Sequence, residues 1–200
     1  MTPRGDGPDD GPGSEPVRRH PARWRVVGSS GSGKSTLASA AAARLGVPHV
    51  ELDAVFWAEG WRKREPDEAL VILRDRLGGA EGQHGWVVDG NWLEAVPLLD
   101  GTDAIVWLDL PRRVVMRRLV TRTLRRAITR EELWAGNRER PFDLLSRDPH
   151  RNVVLWSWQH HEVYRERYGA LAATGEIPVV RLRSARDVRR WLAGLAPVGP

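Results

Sequence analysis

The stretch GSSGSGKS, Gly28 to Ser35, has the spacing G-x-x-x-x-G-K-S and sits between a predicted strand and a predicted helix. That spacing suits one chemistry, the cradling of a nucleotide's phosphates. Glycines let consecutive backbone N–H groups turn inward with no Cβ in the way, and a helix starting near Lys34 adds its positive dipole end. Lys34 is then placed to reach the β- and γ-phosphates, and the Ser35 hydroxyl to ligate Mg²⁺. The cradle comprises Gly28, Ser29, Gly31, Ser32, Gly33, Lys34, Ser35 and Thr36. The cofactors it predicts are ATP and Mg²⁺.

Two carboxylates end apolar runs, Asp89 in WVVDG and Asp109 in WLDLP. In a parallel sheet both would lie on the edge that carries the Gly-rich loop, where ligands bind. Asp89 is the preferred metal partner, whereas Asp109 is equally suited to a turn or helix cap ahead of Pro111. At about 100° per residue, Arg118, Arg122 and Arg125 share one stripe of a helix, with Met116, Leu119, Val120, Thr123 and Ala127 opposite. Such a stripe is either a solvated basic face or a clamp for a transferring phosphoryl group. Arg126, Arg130, Arg138 and Arg140 follow in an irregular stretch suited to a lid.

The elements that must position these groups alternate between strand and helix. Strands are expected at 23–27, 49–52, 86–90, 104–110 and 177–182. Helices are expected at 35–45, 66–77, 112–127, 152–168 and 184–195. Gly46 ends the first helix, Pro66 opens the second, and Ser184 with Asp187 has capping-box spacing. The alternation implies an α/β protein with a parallel sheet covered on both faces.

Composition narrows the class. No cysteine is present, which excludes disulfides and thiolate metal sites. No run approaches the roughly 18 apolar residues of a membrane span, so a cytoplasmic protein without a membrane partner is expected. Residues 1–22 read as a disordered tail and 23–196 as one domain. Residues 112–140 hold ten arginines against three glutamates. Charge so concentrated fits phosphate clamping better than a nucleic-acid face, which makes nucleic acid an unlikely partner. Oligomeric state is left open.

No N-K-x-D stretch for reading guanine is present, and neither strand-end Asp is followed by the Glu expected of a motor. At this point the chain from about Arg23 to Leu195 resembles the adenylate kinase-like group of P-loop nucleoside and nucleotide kinases. Within that group it looks most like the small bacterial topology-modulation or adenylate-kinase-related proteins. The resemblance rests on GSSGSGKSTLA, VELDAVFW followed by GW, WVVDGNW and WLDLPRRVVMRRLVTR. It implies a three-layer P-loop NTPase fold with a five-stranded parallel sheet in the order 2-3-1-4-5. A short Arg-rich lid would span about 126–148. Counted from Pro111, it places Arg118 near the nucleotide base and Arg122 on phosphate, and it matches Asp89 to the metal-side Asp.

The acceptor side departs from true adenylate kinases. Those carry G-F-P-R where this chain has DGNW, and Arg44 alone lies between Leu37 and Asp53. An AMP acceptor is therefore disfavoured. In sugar and shikimate kinases of similar architecture a carboxylate at the position of Asp53 holds a substrate hydroxyl, and Asp53 is either such a base or a turn cap. Trp57, Trp61 and Trp92 are either an aromatic wall or core. His160 and His161, adjacent on a helix, face different sides and form no metal pair. The expected function is a Mg²⁺–ATP-dependent kinase for a small hydroxyl- or phosphate-bearing metabolite, with Lys34, Asp53 and Arg122 catalytic. The alternatives are an ATP-binding regulator of DNA topology and a slow ATPase with a protein partner.

Overall fold

Val26 and Val27 in the strand β1 (Ala22–Gly28) are wholly buried, and β1 is the middle of a five-stranded parallel sheet. The structure, a computed structural model, describes residues 22–79 and 82–195. The expected tail at 1–22, apart from Ala22, and residue 196 lie outside the described residues. The other sheet strands are β2 (His49–Glu51), β3 (Gly85–Asp89), β4 (Ala104–Leu108) and β5 (Val179–Leu182). Their spatial order is β2-β3-β1-β4-β5, and every ladder is parallel. This is the 2-3-1-4-5 order of the P-loop NTPase fold.

Helix α1 (Lys34–Leu45) lies on one face of the sheet. Its buried Leu37, Ala38, Ala41 and Ala42 repeat at helical spacing, and three of these four are alanine, so the helix sits close on Val26, Val87 and Val106. Helix α6 (Ala185–Ala193) extends that layer, with Ser184 Oγ accepting the Asp187 N–H as its N-cap. On the opposite face a short helix α2 (Leu52–Phe56) and α3 (Pro66–Gly78) cover Val50, Trp86 and Val88. Helix α5 (Val153–Thr174) covers Val27, Ile105 and Trp107 through Tyr168. Asn152 caps α5 by accepting from the N–H groups of Val154 and Leu155. The three layers follow from strands that are buried on both sides.

Helix α4 (Arg112–Thr129) corrects one expectation. Its buried stripe is Val115, Leu119, Thr123 and Ala127, while Val120 is exposed. The helix meets the rest of the molecule along a narrow line, so a residue one position off that line is left outside. Helix α5 also runs past the expected end at Tyr168. Between α2 and α3 an unforeseen two-stranded antiparallel ribbon pairs Trp57–Ala58 with Arg62–Lys63. Arg64 anchors it, donating from Nη1 to the carbonyls of Val55 (2.7 Å) and Trp57 (2.8 Å). Among the described residues no helix is long and apolar enough to cross a membrane.

Candidate active site

The loop from Gly28 to Gly33 is held from outside by its carbonyls. Asn91 Nδ2 donates to Gly28 O (2.9 Å), Ser32 N to Ser29 O (3.0 Å), Ser157 Oγ to Ser30 O (3.2 Å) and Arg118 Nη1 to Ser32 O (3.2 Å). Gly28 N and Ser32 N are also engaged, with Asn91 Oδ1 and Ser29 O, so the remaining amides of the loop are the groups left for an anion. At Gly31, with φ 86°, a Cβ would stand 2.7 Å from Val115 O and 2.8 Å from Leu119 Cβ, so no larger residue fits against α4. Gly33, at φ 96°, is the N-cap of α1, which has no capping side chain and no acid in its first turn. Its first N–H groups and dipole are thus not neutralised by a local carboxylate. Ser32 Oγ is buried without a partner, and Lys34 makes no ion pair among the described residues. Thr36 follows in the first turn and is exposed. These features fit a polyphosphate.

The carboxylates expected on the metal side are brought together by sheet register. Glu51 on β2 and Asp89 on β3 are register partners, which puts both carboxylates on the face that carries α1. Ser35 Oγ lies 2.7 Å from Asp89 Oδ2 and 3.0 Å from Glu51 Oε1, and its single proton serves one of them at a time. His49 Nε2 is 2.7 Å from Asp89 Oδ1 and fixes that buried carboxylate from the other side. A hydroxyl beside carboxylate oxygens is a hard-donor set suited to Mg²⁺. No group of three or more His, Asp or Glu that could hold a metal occurs among the described residues, so phosphate and water oxygens would complete any coordination here. Asp109 is a structural clamp. It accepts from Arg165 Nε (2.9 Å) and from Arg181 Nη2 (2.6 Å), tying the end of β4 to α5 and β5.

Across the cleft, Asp53 sits in the first turn of α2 and Oδ1 accepts the Trp92 indole N–H at 2.7 Å. Trp92, half-buried, stacks on Phe56 of the core at 4.4 Å, and Trp57 meets it edge-on. Trp61 continues the aromatic line to Trp134 of the lid, at 6.2 Å. Trp134 Nε1 donates to Glu51 Oε2 at 2.8 Å, so the segment expected as a lid is bonded directly to the carboxylate beside Ser35. Buried Asn137 straps the lid to the ribbon. It accepts from Trp61 N (2.8 Å) and donates to Ala58 O (2.8 Å). Two non-glycine residues with positive φ flank this strap, Trp61 at 59° and Ala135 at 53°. Backbone conformations of that kind persist where surrounding contacts over-determine them.

Arg122 lies half-buried on α4. Burial lowers its pKa most and Arg126 adds to that, while Glu139, Asp53 and Glu51 act to hold its charge. Its Nε is buried without a partner. Arg118 lies over the loop, whereas Arg125 pairs outward with Glu131. Of the expected lid arginines, Arg126 is paired with Glu131 and Glu139, and Arg138 with Glu132. Arg130 and Arg140 are exposed. Buried His161 has Nε2 3.2 Å from Leu110 O, and His160 stacks on Trp156, so both are packing residues. Four residues of the cleft escaped the sequence reading: Glu51, Trp134, Asn137 and Glu139. Glu51 alone carried a local signal, standing two residues before Asp53 at a strand end.

No family model matches the chain. A cytidylate kinase of Nitratidesulfovibrio vulgaris (strain DP4) is 43% identical over 65 residues, covering 30% of this chain and 28% of that protein. An adenylate kinase of Kosmotoga olearia is 28% identical over 123 residues, 48% of this chain and 57% of its own length. Adenylate kinase 1 of Synechocystis sp. is 27% identical over 122 residues, 48% of this chain and 65% of its own. The chain thus spans less than two thirds of the curated relatives it matches. A solved gluconokinase from Sinorhizobium meliloti 1021 is similar over 90% of this chain and 95% of its own, at 24% identity and a TM-score of 0.49. In sequence the chain is thus similar to cytidylate and adenylate kinases over part of its length, and its strand order is that of P-loop kinases.

Proposed function

We propose that the protein transfers the γ-phosphoryl group of ATP to a hydroxyl or phosphate oxygen of a small metabolite. One observation carries this reading: the Ser35 hydroxyl, at the uncapped start of α1 after the Gly-rich loop, lies 2.7 Å from Asp89 and 3.0 Å from Glu51, with Asp53 two residues beyond Glu51. A phosphate-binding loop therefore stands beside a carboxylate-bearing strand end. The cytidylate and adenylate kinases among its relatives support the same chemistry.

The loop amides and Lys34 hold the polyphosphate, and Arg118 lies where the nucleoside end would extend. Mg²⁺, when bound at Ser35 and Asp89, would neutralise charge on the β- and γ-phosphates. Asp53 orients the acceptor hydroxyl and takes its proton as the acceptor oxygen bonds to phosphorus and the bond to the β-phosphate oxygen breaks. Arg122 stabilises the charge that spreads over the transferring oxygens. Trp134 and Asn137 hold the lid down and exclude water, which is the competing acceptor.

ADP release measured across small acceptors, with Lys34→Ala as the comparison, tests the reading. Acceptor-stimulated kcat/KM should fall about 10³-fold in the variant, the scale of losing a charge aimed at the transition state, with its melting temperature unchanged. ADP release that no acceptor stimulates and that survives Lys34→Ala would refute it.

A further inference from the structure

The short ribbon between α2 and α3 meets one residue of the cleft twice. Trp57 and Lys63 are register partners across the ribbon, so their side chains leave the same face. Both land on Trp92, in the loop after β3. Trp57 meets its ring edge-on at 5.5 Å, and Lys63 Nζ lies over the ring, 5.1 Å from the centroid. Phe56 stacks on Trp92 at 4.4 Å with the planes 8° apart, which fills one face and leaves the other to the ammonium. Lys63 is itself held, 2.7 Å from Glu94 Oε1 in the segment Leu93–Leu99 that follows Trp92. The chain beside it is fixed by Arg64, whose N–H donates to Phe56 O at 2.8 Å and whose Nη1 donates to Val55 O and Trp57 O. Trp92 is thereby clamped with its indole N–H aimed at Asp53 Oδ1, 2.7 Å away.

That indole gives the Asp53 carboxylate its one hydrogen bond among the described residues. The last torsion of an aspartate is broad, so a carboxylate without a partner samples many orientations. Pinning Oδ1 fixes the direction of Oδ2, the oxygen left for an acceptor hydroxyl. An indole N–H is a neutral donor whose strength depends on the electron density of its ring. A cation over the ring face draws π-density toward itself and leaves the N–H more polar. A more polar donor binds a carboxylate more firmly. Lys63 pairs with Glu94 and not with Asp53, so its charge reaches Asp53 through the ring.

Resting on the phosphotransfer reading above, we infer that Lys63 is a positioning residue for the acceptor side: acting through Trp92, it holds the Asp53 carboxylate in the orientation that meets the acceptor hydroxyl. The ribbon's part in the reaction is to carry that ammonium. Lys63 is 48% exposed, so water weakens the interaction and the effect on rate is moderate.

The test uses the full chain with Mg²⁺–ATP and the best acceptor from the ADP-release screen. Lys63→Met keeps most of the stem and removes the charge, whereas Lys63→Arg keeps the charge. In Lys63→Met kcat should fall about fivefold, with the KM for ATP and for the acceptor each within about twofold. Lys63→Arg should restore kcat to within about twofold of the parent chain. A second readout needs no turnover. The Trp92 indole N–H resonance, identified as the one lost in Trp92→Phe, should shift in Lys63→Met and exchange faster with water, and Lys63→Arg should return it. A fall in kcat with that resonance unmoved would mean that Lys63 does not act through Trp92, which overturns the inference. A moved resonance with kcat unchanged overturns it too, because the contact then has no part in the reaction. A rise in acceptor KM alone would make Lys63 a direct acceptor contact instead, against the positioning role. If no acceptor raises Lys34-dependent ADP release in the parent chain, the phosphotransfer reading falls and takes this role with it, whatever the resonance does.

Discussion

Under the proposed function the cleft has a phosphate side and an acceptor side, and the two are built by different means. The phosphate side is mostly backbone: a loop whose carbonyls are held by Asn91, Ser32 N, Ser157 and Arg118, ending at a helix start with no side-chain cap. The acceptor side consists of side chains brought together from segments far apart in the chain, with Trp134 on Glu51 across 83 positions and Asn137 on Trp61 across 76. A backbone cradle accepts a polyphosphate whatever sits at most neighbouring positions. A side-chain wall changes its ligand with each substitution. The first kind of site preserves a chemistry, and the second sets what that chemistry acts on.

The strongest challenge to this division is Asp53→Asn. If Asp53 accepts the hydroxyl proton, kcat should fall about 10²- to 10⁴-fold, while the dissociation constant for ATP, measured by calorimetry, stays within about threefold. The Trp92 N–H can still bond the amide oxygen, so the fold at α2 is retained. A kcat that survives would make Asp53 only an anchor for Trp92. A large loss of ATP affinity would mean that the two sides are not separable.

A smaller effect is expected at the strap. Asn137→Ala removes the acceptor for Trp61 N and the donor to Ala58 O, both on the ribbon, and the donor to Trp134 O within the lid. The buried groups left behind should open the lid locally rather than unfold the domain. Acceptor KM should rise about tenfold with ATP affinity unchanged. Hydrogen exchange at the Trp61 amide should lose its protection. Combined with Lys34→Ala, binding effects should add if the sides are independent, and a coupling beyond about 0.5 kcal/mol would sink that independence.

The same contrast governs how much the sequence reveals. Gly28 to Ser35 is a local pattern, so the loop and the helix after it are legible from spacing, whereas Asp89 is legible only as the carboxylate that ends an apolar run. The sheet order is legible through the resemblance that the four motif blocks carry. Glu51 was visible only as the end of a strand, because its role depends on register with Asp89, which a single strand does not encode. Asn137 reads as one polar residue in a polar stretch; only the ribbon opposite gives it a purpose. Helix α2 and the ribbon are too short for periodicity to register. On α4, a helical wheel groups Val120 with Leu119, but the wheel does not show that contact runs along a narrow line.

The smallest expected effect lies where α5 supports the phosphate loop. Tyr168 OH donates to Asn91 Oδ1, the residue that holds Gly28. Burial pushes the Tyr168 phenol up to about 12, against a smaller opposing pull from Arg25. A folded-state pKa raised above the unfolded value of about 10 gives stability that is complete below pH 10 and is lost as pH rises toward 12. Two units correspond to about 3 kcal/mol in this buried setting, as an order of magnitude. The chain has only two tyrosines. Tyrosinate absorbance in the folded protein should include a step near pH 12 that Tyr168→Phe removes. In that variant the loss of stability that Tyr168 causes between pH 10 and about 12 should be absent, and ATP affinity at neutral pH should change by less than about threefold, because Asn91 still donates to Gly28 O. A large loss of ATP affinity would show that the loop depends on a remote side chain as much as the acceptor side does, and the distinction between backbone cradle and side-chain wall would no longer hold.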